Sequence, residues 1–119
     1  MADHNELGDK GEDLAVNFLE QKGYEVLDRN WRWGRYEVDI VAQHKGIMVV
    51  AEVKTRQSNY FGEPEAFVSR AQQKRLVESA NGYIEKHGLD LEVRFDIISI
   101  IYNSRERTVH HIEDAFYAR

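Results

Sequence analysis

Two short apolar runs on either side of Lys45-Gly46 constrain this chain more than any other feature. Tyr36 to Ala42 reads Y-E-V-D-I-V-A, and Ile47 to Lys54 reads I-M-V-V-A-E-V-K. Runs of that length and character, with a brief polar gap, predict two strands joined by a tight turn. Antiparallel partners have residue numbers with a constant sum. A turn centred on Lys45-Gly46 makes that sum 91, so Asp39 faces Glu52 and Glu37 faces Lys54. A four-residue loop, His44 to Ile47, keeps that register, whereas a three-residue loop ending at Gly46 separates the acids. Directly opposed Cβ atoms lie about 4.5–5.5 Å apart, a separation at which two carboxylates can share one cation. Alternation places Val38, Ile40, Ala42, Ile47, Val49, Ala51 and Val53 on the opposite, core-facing side. Val41, Met48 and Val50 continue the acidic side with apolar residues, so the acids lie toward one end in a partly buried cleft. Unpaired carboxylates there are costly, and a divalent metal beside a lysine suits phosphodiester hydrolysis. The leading expectation is therefore a metal-dependent nuclease.

The rest of the chain supplies a frame for that hairpin. Leu7, Gly11, Leu14, Ala15, Phe18 and Leu19 recur at helical spacing, which predicts a helix over residues 5–22 with Gly23 as its stop. Tyr24 to Trp33 reads as a strand, Gly34 as a turn, and Glu63-Pro64 as a break. Ser69-x-x-Gln72 has the form of a capping box. Leu76, Val77, Ala80, Tyr83 and Ile84 mark the apolar face of a second helix ending near His87-Gly88. Leu91 to Tyr102 is a long strand, Asn103-Ser104 a turn, Thr108 to Ile112 an edge strand, and Glu113 to Tyr117 a short helical turn. Helix, three strands, helix, strand or strands predicts an α/β fold with a mixed sheet whose first three strands form a meander.

Composition narrows the function classes. At 119 residues the chain is expected to form one domain, residues 1–119. The longest apolar run, Ile47 to Ala51, is far short of a membrane span, and the polar start Met1 to Glu6 does not read as a secretory signal. There is no cysteine, which removes thiolate metal sites and cysteine nucleophiles and fits a reducing, cytoplasmic location. The net charge is −5, yet residues 29–75 hold nine Lys/Arg against five Asp/Glu, and the remainder seven against sixteen. The basic excess surrounds the candidate site, which is the footprint expected for phosphate binding. No phosphate-cradling glycine loop, H-E-x-x-H or serine-nucleophile motif is present. His110 and His111 are adjacent and point to opposite faces of a strand, so surface or strand-edge roles are expected of them.

An acid followed by a strand bearing acid-x-lysine resembles the PD-(D/E)xK nucleases, which share the restriction-endonuclease-like αβββαβ core with a mixed central sheet flanked by helices. The whole chain also resembles the uncharacterised YraN family. The residues that carry this are Gly8-x-x-Gly11-Glu12, Glu37-Val38-Asp39-Ile40-Val41-Ala42, Glu52-Val53-Lys54-Thr55-Arg56, Phe61-Gly62, Arg75-Leu76 with Ala80, Phe95-Asp96, and Ile112-Glu113-Asp114-Ala115-Phe116. Tyr36 stands where that family usually has glycine.

The resemblance implies roles. Asp39, Glu52 and the Val53 carbonyl would hold Mg²⁺ (or Mn²⁺), with Glu12 on the first helix as a further acid, and Lys54 would stabilise charge or orient water. Glu37 is expected as an outer-shell acid or a partner of Lys54. Gln72 or Gln73 at the start of the second helix would hold phosphate or water, where a helix N-terminus favours anions. Arg32, Arg35, Arg56, Lys74 and Arg75 are candidate backbone contacts for nucleic acid, DNA in the leading reading. Trp31 and Trp33 suit base stacking or, more readily, packing. A homodimer is a further expectation, as in junction resolvases of this fold. The alternatives are a non-cleaving nucleic-acid-binding module of the same fold, and a structural or partner-binding domain.

Overall fold

The apolar runs become the middle of a five-stranded sheet. The computed structural model describes residues 2–58 and 68–117, with side chains from residue 6 onward. Its elements are α1 (Ala2–Gln21), β1 (Glu25–Trp33), β2 (Tyr36–His44), β3 (Ile47–Arg56), α2 (Arg70–His87), β4 (Glu92–Tyr102) and β5 (Arg107–Phe116). The strands lie in the order β1-β2-β3-β4-β5. The first three form an antiparallel meander, β4 runs parallel to β3, and β5 returns antiparallel to β4. This αβββαββ order is consistent with a restriction-endonuclease-like core. The expected break at Glu63-Pro64 and the Phe61-Gly62 pair lie outside the described residues.

Both faces of the sheet are covered, which is why β3 and β4 read as nearly continuous apolar runs. Ala15, Val16 and Leu19 of α1 pack on Ile40, Ala42, Val49, Ala51, Ile98 and Ile100. Leu76, Ala80 and Tyr83 of α2 pack on Val38, Val41, Met48, Val50, Phe95 and Ile97. Gly11 sets the height of α1 over β3, because a Cβ there would collide with the Thr55 side chain. That close approach brings the next residue, Glu12, over the same strand.

The β2–β3 turn is the tight one expected. Lys45 (φ 52°) and Gly46 (φ 78°) are both left-handed, as a two-residue hairpin of matching twist requires. Ser69 caps α2, its hydroxyl accepting from the Gln72 N–H at 3.1 Å, and Gly88 closes the helix at φ 62°. The expected helical turn at Glu113 to Tyr117 is not formed. Residues through Phe116 stay in β5, because a bulge opposite Phe95 and Ile97 carries the strand onward. Asp114 is left-handed there (φ 54°) and its N–H donates to Asp96 at 3.0 Å, while Phe116 stacks on Phe95.

A candidate metal centre at a forked sheet

The register of 91 holds from His44↔Ile47 to Ile40↔Ala51, and there the β2–β3 ladder ends. Beyond it, β2 stays with β1 as far as Trp33↔Tyr36, while β3 stays with β4 as far as Arg56↔Ile101. The sheet forks, so Asp39–Glu52 and Glu37–Lys54 are not the ladder partners that the arithmetic predicted. The cause is local. Val38 and Ile40 are two residues apart, yet Val38 packs in the α2 layer and Ile40 in the α1 layer. The alternation expected to unite them breaks at Asp39. On the neighbouring strand, Asn30 takes a left-handed conformation (φ 52°), one that asparagine tolerates better than most residues.

The fork releases backbone groups that a continuous ladder would consume. The Val53 N–H donates to Asp39 Oδ2 at 2.8 Å. An extended residue directs its N–H and C=O to the same lateral side, so the Val53 carbonyl also faces the fork. Asp39 and Glu52 meet there, close enough to share a proton when one of them is protonated. Burial, followed by the charge of Glu52, pushes the Asp39 carboxyl up to about 8. Burial also raises Glu52, against the lowering influence of Lys54. Lys54 Nζ lies 3.5 Å from Glu52 Oε2, and Gln72 Nε2 donates to the same oxygen at 2.6 Å. The capping box is thus half realised: Ser69 caps the Gln72 N–H, while the Gln72 side chain crosses to Glu52 instead of returning.

Glu12 overlooks this centre from α1. Its carboxylate accepts from Arg29 Nε at 3.0 Å and from Asn30 Nδ2 at 2.9 Å. Burial raises its pKa, partly offset by the Arg29 hydrogen bond, and the charge of Asp39 raises it further. Together Glu12, Asn30, Glu37, Asp39, Val53 and Lys54 line a cleft of about 580 Å³ on the α1 side. A smaller depression on the α2 side, about 160 Å³, is bounded by Arg35, Tyr36, Glu37, Glu52, Gln72 and Arg75. The fork separates an acid-rich cleft from a depression in which Arg35 and Arg75 stand against Glu37 and Glu52.

The remaining expectations divide. Glu37 pairs with Arg32, its neighbour across the β1–β2 ladder, at 3.3 Å, and not with Lys54. Gln73 turns away and donates to the Val68 carbonyl. Lys74 borders a separate depression with Arg70, Val77 and Tyr117. Arg56 stands at the far end of β3, and Arg75 lies over the Tyr36 ring at 6.0 Å. Arg29 and Asn30 were not anticipated; the signal for Asn30 was an asparagine interrupting an aromatic strand.

A second polar cluster was also missed. Asp96 is fully buried, with a side-chain exposure of 0%, and accepts from Arg94 Nε (2.9 Å) and Arg94 Nη2 (2.8 Å) as well as from the Asp114 N–H. His111 Nε2 lies 2.6 Å from Asp96 Oδ2, and Lys22 Nζ lies 2.9 Å from His111 Nδ1. An ammonium has only donors, so Nδ1 accepts and the Nε2–H donates to Asp96. Of the surface or strand-edge roles expected of the two histidines, His110 is exposed, while His111, on the edge strand β5, turns a side chain only 3% exposed inward to Asp96. The clue was an acid set in the apolar run Phe95 to Ile101, with an arginine two residues before it.

Related proteins share this chain nearly from end to end. A UPF0102 protein of Flavobacterium psychrophilum is 50% identical over 117 residues, 98% of each chain. One from Christiangramia forsetii is also 50% identical with the same coverage. One from Phocaeicola vulgatus is 44% identical over 98% of this chain and 97% of its own. The profile of the uncharacterised protein family UPF0102 matches residues 11–100, a span that begins at the glycine seating α1 on β3 and takes in the fork, and the chain belongs to that family.

Proposed function

We propose that the fork is the active site of a metal-dependent nuclease that hydrolyses phosphodiester bonds, with DNA as the leading substrate. One observation carries the reading. Two half-buried carboxylates are pressed together in a sheet that breaks its own ladder to accommodate them, and Lys54 is the cation placed against Glu52.

The donor set fits Mg²⁺ or Mn²⁺. Asp39 and Val53 line the α1-side cleft with Glu12, and the Glu52 carboxylate meets Asp39 from the α2-side depression, so hard oxygen donors converge where the two meet. No three His, Asp or Glu side chains among the described residues form a ready-made ligand group. A magnesium site that keeps several waters needs no such group. When bound, the metal supplies Lewis-acid polarisation of the phosphate and a water of lowered pKa. The chain's own residues do the rest. Lys54 presents a compact positive charge to the phosphate oxygens. Gln72 fixes the orientation of Glu52 from the N-terminus of α2, and the Val53 N–H fixes Asp39. In the hydrolysis, a water oxygen bonds to phosphorus, the bond to the leaving strand's oxygen breaks, and that oxygen takes up the proton.

Purified protein incubated with linear, flapped and four-way DNA and with Mg²⁺ or Mn²⁺ tests the proposal. Cleavage is expected to fall by at least about a thousandfold in Asp39→Ala/Glu52→Ala, because removing single electrostatic elements of such sites already costs about 10²–10³. Cleavage that survives in the double variant contradicts the assignment. Metal-independent, salt-sensitive binding without turnover favours a non-cleaving nucleic-acid-binding module.

A further inference from the structure

Resting on that reading, we infer that the β1–β2 hairpin tip is a stacking platform for an unpaired base next to the scissile phosphate. The site's substrate would then be a single-stranded segment or a junction, in preference to continuous duplex. Trp31 and Trp33 have the same side-chain chemistry but different surroundings. Trp31 packs edge-on against Tyr83 at 5.0 Å, within the α2 layer. Trp33 keeps 40% of its surface exposed. It is nonetheless held in place. Its ring lies nearly parallel to Trp31 (16°, centroids 5.9 Å apart), and it rests on α2 at Gly82, where any Cβ would collide with the indole. A large aromatic side chain made rigid and left in solvent loses little further entropy on binding.

The surroundings specify the ligand. Trp33, Gly34, Arg35 and Tyr36 bound a depression of about 470 Å³. Arg35 and Tyr36 also bound the depression that reaches Arg75, Gln72 and Glu52. Arg75 stands over the Tyr36 ring, and Arg32 projects from the same hairpin. Aromatic surface ringed by arginines suits bases joined by phosphates. Arg35 and Tyr36 line both depressions, the second of which reaches Glu52, so the occupant is a nucleotide flanking the one cut.

The test separates bases from phosphates. Full-length protein, with metal removed by a chelator, is titrated at low salt with an oligothymidylate, an abasic strand of equal phosphate count, and a blunt duplex. The oligothymidylate is expected to bind at least about fivefold more tightly than the abasic strand, from the ordinary worth of one stacked base, and to quench indole emission. The blunt duplex is expected to bind more weakly than the oligothymidylate. Trp33→Leu and, independently, Tyr36→Leu are expected to shrink the difference between thymidylate and abasic strands. Equal binding of the two strands by the wild-type protein overturns the platform while leaving the nuclease reading intact. A preference that persists undiminished in both variants also overturns it. Failure of every strand and of the duplex to bind overturns both.

Discussion

Asp39 and Asp96 occupy the strands on either side of β3 and are treated in opposite ways. Asp96 is completed from within: Arg94, His111 and the Asp114 N–H supply its hydrogen bonds. Those partners hold its carboxyl below the usual aspartate range despite the opposing effect of burial. Asp39 receives one backbone N–H and a second acid, and it is driven far above that range. One aspartate is structural and ties β5 and α1 to the sheet. The other is only partly enclosed and faces a second acid. On the proposed reading, the first belongs to the scaffold and the second to the site.

Removing each acid should move stability in opposite directions. Asp96→Ala takes the shared acceptor from the partly buried Arg94 guanidinium, from His111 and from the Asp114 N–H, and is expected to destabilise by about 3 kcal/mol, the lower end of the usual effect of breaking a buried charged pair from one side. Urea denaturation measures it. Asp39→Asn removes a buried charge that lacks a full complement and is expected to stabilise the metal-free protein by about 1–3 kcal/mol at pH 8 while abolishing cleavage. A loss of stability in that variant would place Asp39 in the same class as Asp96.

The pH dependence sharpens the contrast. The folded state binds a proton at Asp39 more tightly than the unfolded chain does, so its contribution is complete below the ordinary value of 3.8 and is lost as pH rises toward about 8. Glu52 shifts in the same direction. Asp96 has the opposite sign: its contribution is present above 3.8 and is lost as pH falls through its depressed folded value. The metal-free protein should therefore lose stability between pH 5 and 8, with a slope of up to about 1.4 kcal/mol per pH unit for each proton, and Asp39→Asn should flatten that slope. Thermal melts across the range decide it. The smallest effect is expected from Gln72→Ala, about 0.5–1.5 kcal/mol in stability. Its metal affinity should fall about tenfold, because Gln72 orients Glu52 from outside the ligand set.

Local rules made most of the fold legible. The strands, the tight turn at Lys45-Gly46 and the Ser69 and Gly88 caps follow from periodicity and turn chemistry. The candidate acids were legible as residue types at the right spacing, and the structure does gather Asp39, Glu52 and Lys54. What the sequence concealed is the fork. Register arithmetic assumes a continuous ladder, and nothing local in Val38-Asp39-Ile40 announces that alternation fails there. The signal lies on another strand, at Asn30, and needs the tertiary pairing to be read. The same holds for the Asp96 cluster, whose members Lys22 and Tyr24, Arg94, and His111 converge from three separate segments. The Glu113 to Tyr117 segment was misread for a related reason: its extended path depends on the edge that β4 offers.

A calorimetric titration of the chelator-treated protein with Mn²⁺ near pH 7.5 tests the proposed metal site at the fork most directly. Repeating the titration in buffers of different ionisation enthalpy counts the protons released. Saturable binding at the fork that expels protons from the Asp39–Glu52 pair and is lost in Asp39→Asn is expected. No binding, or binding that persists unchanged in Asp39→Asn, would contradict it.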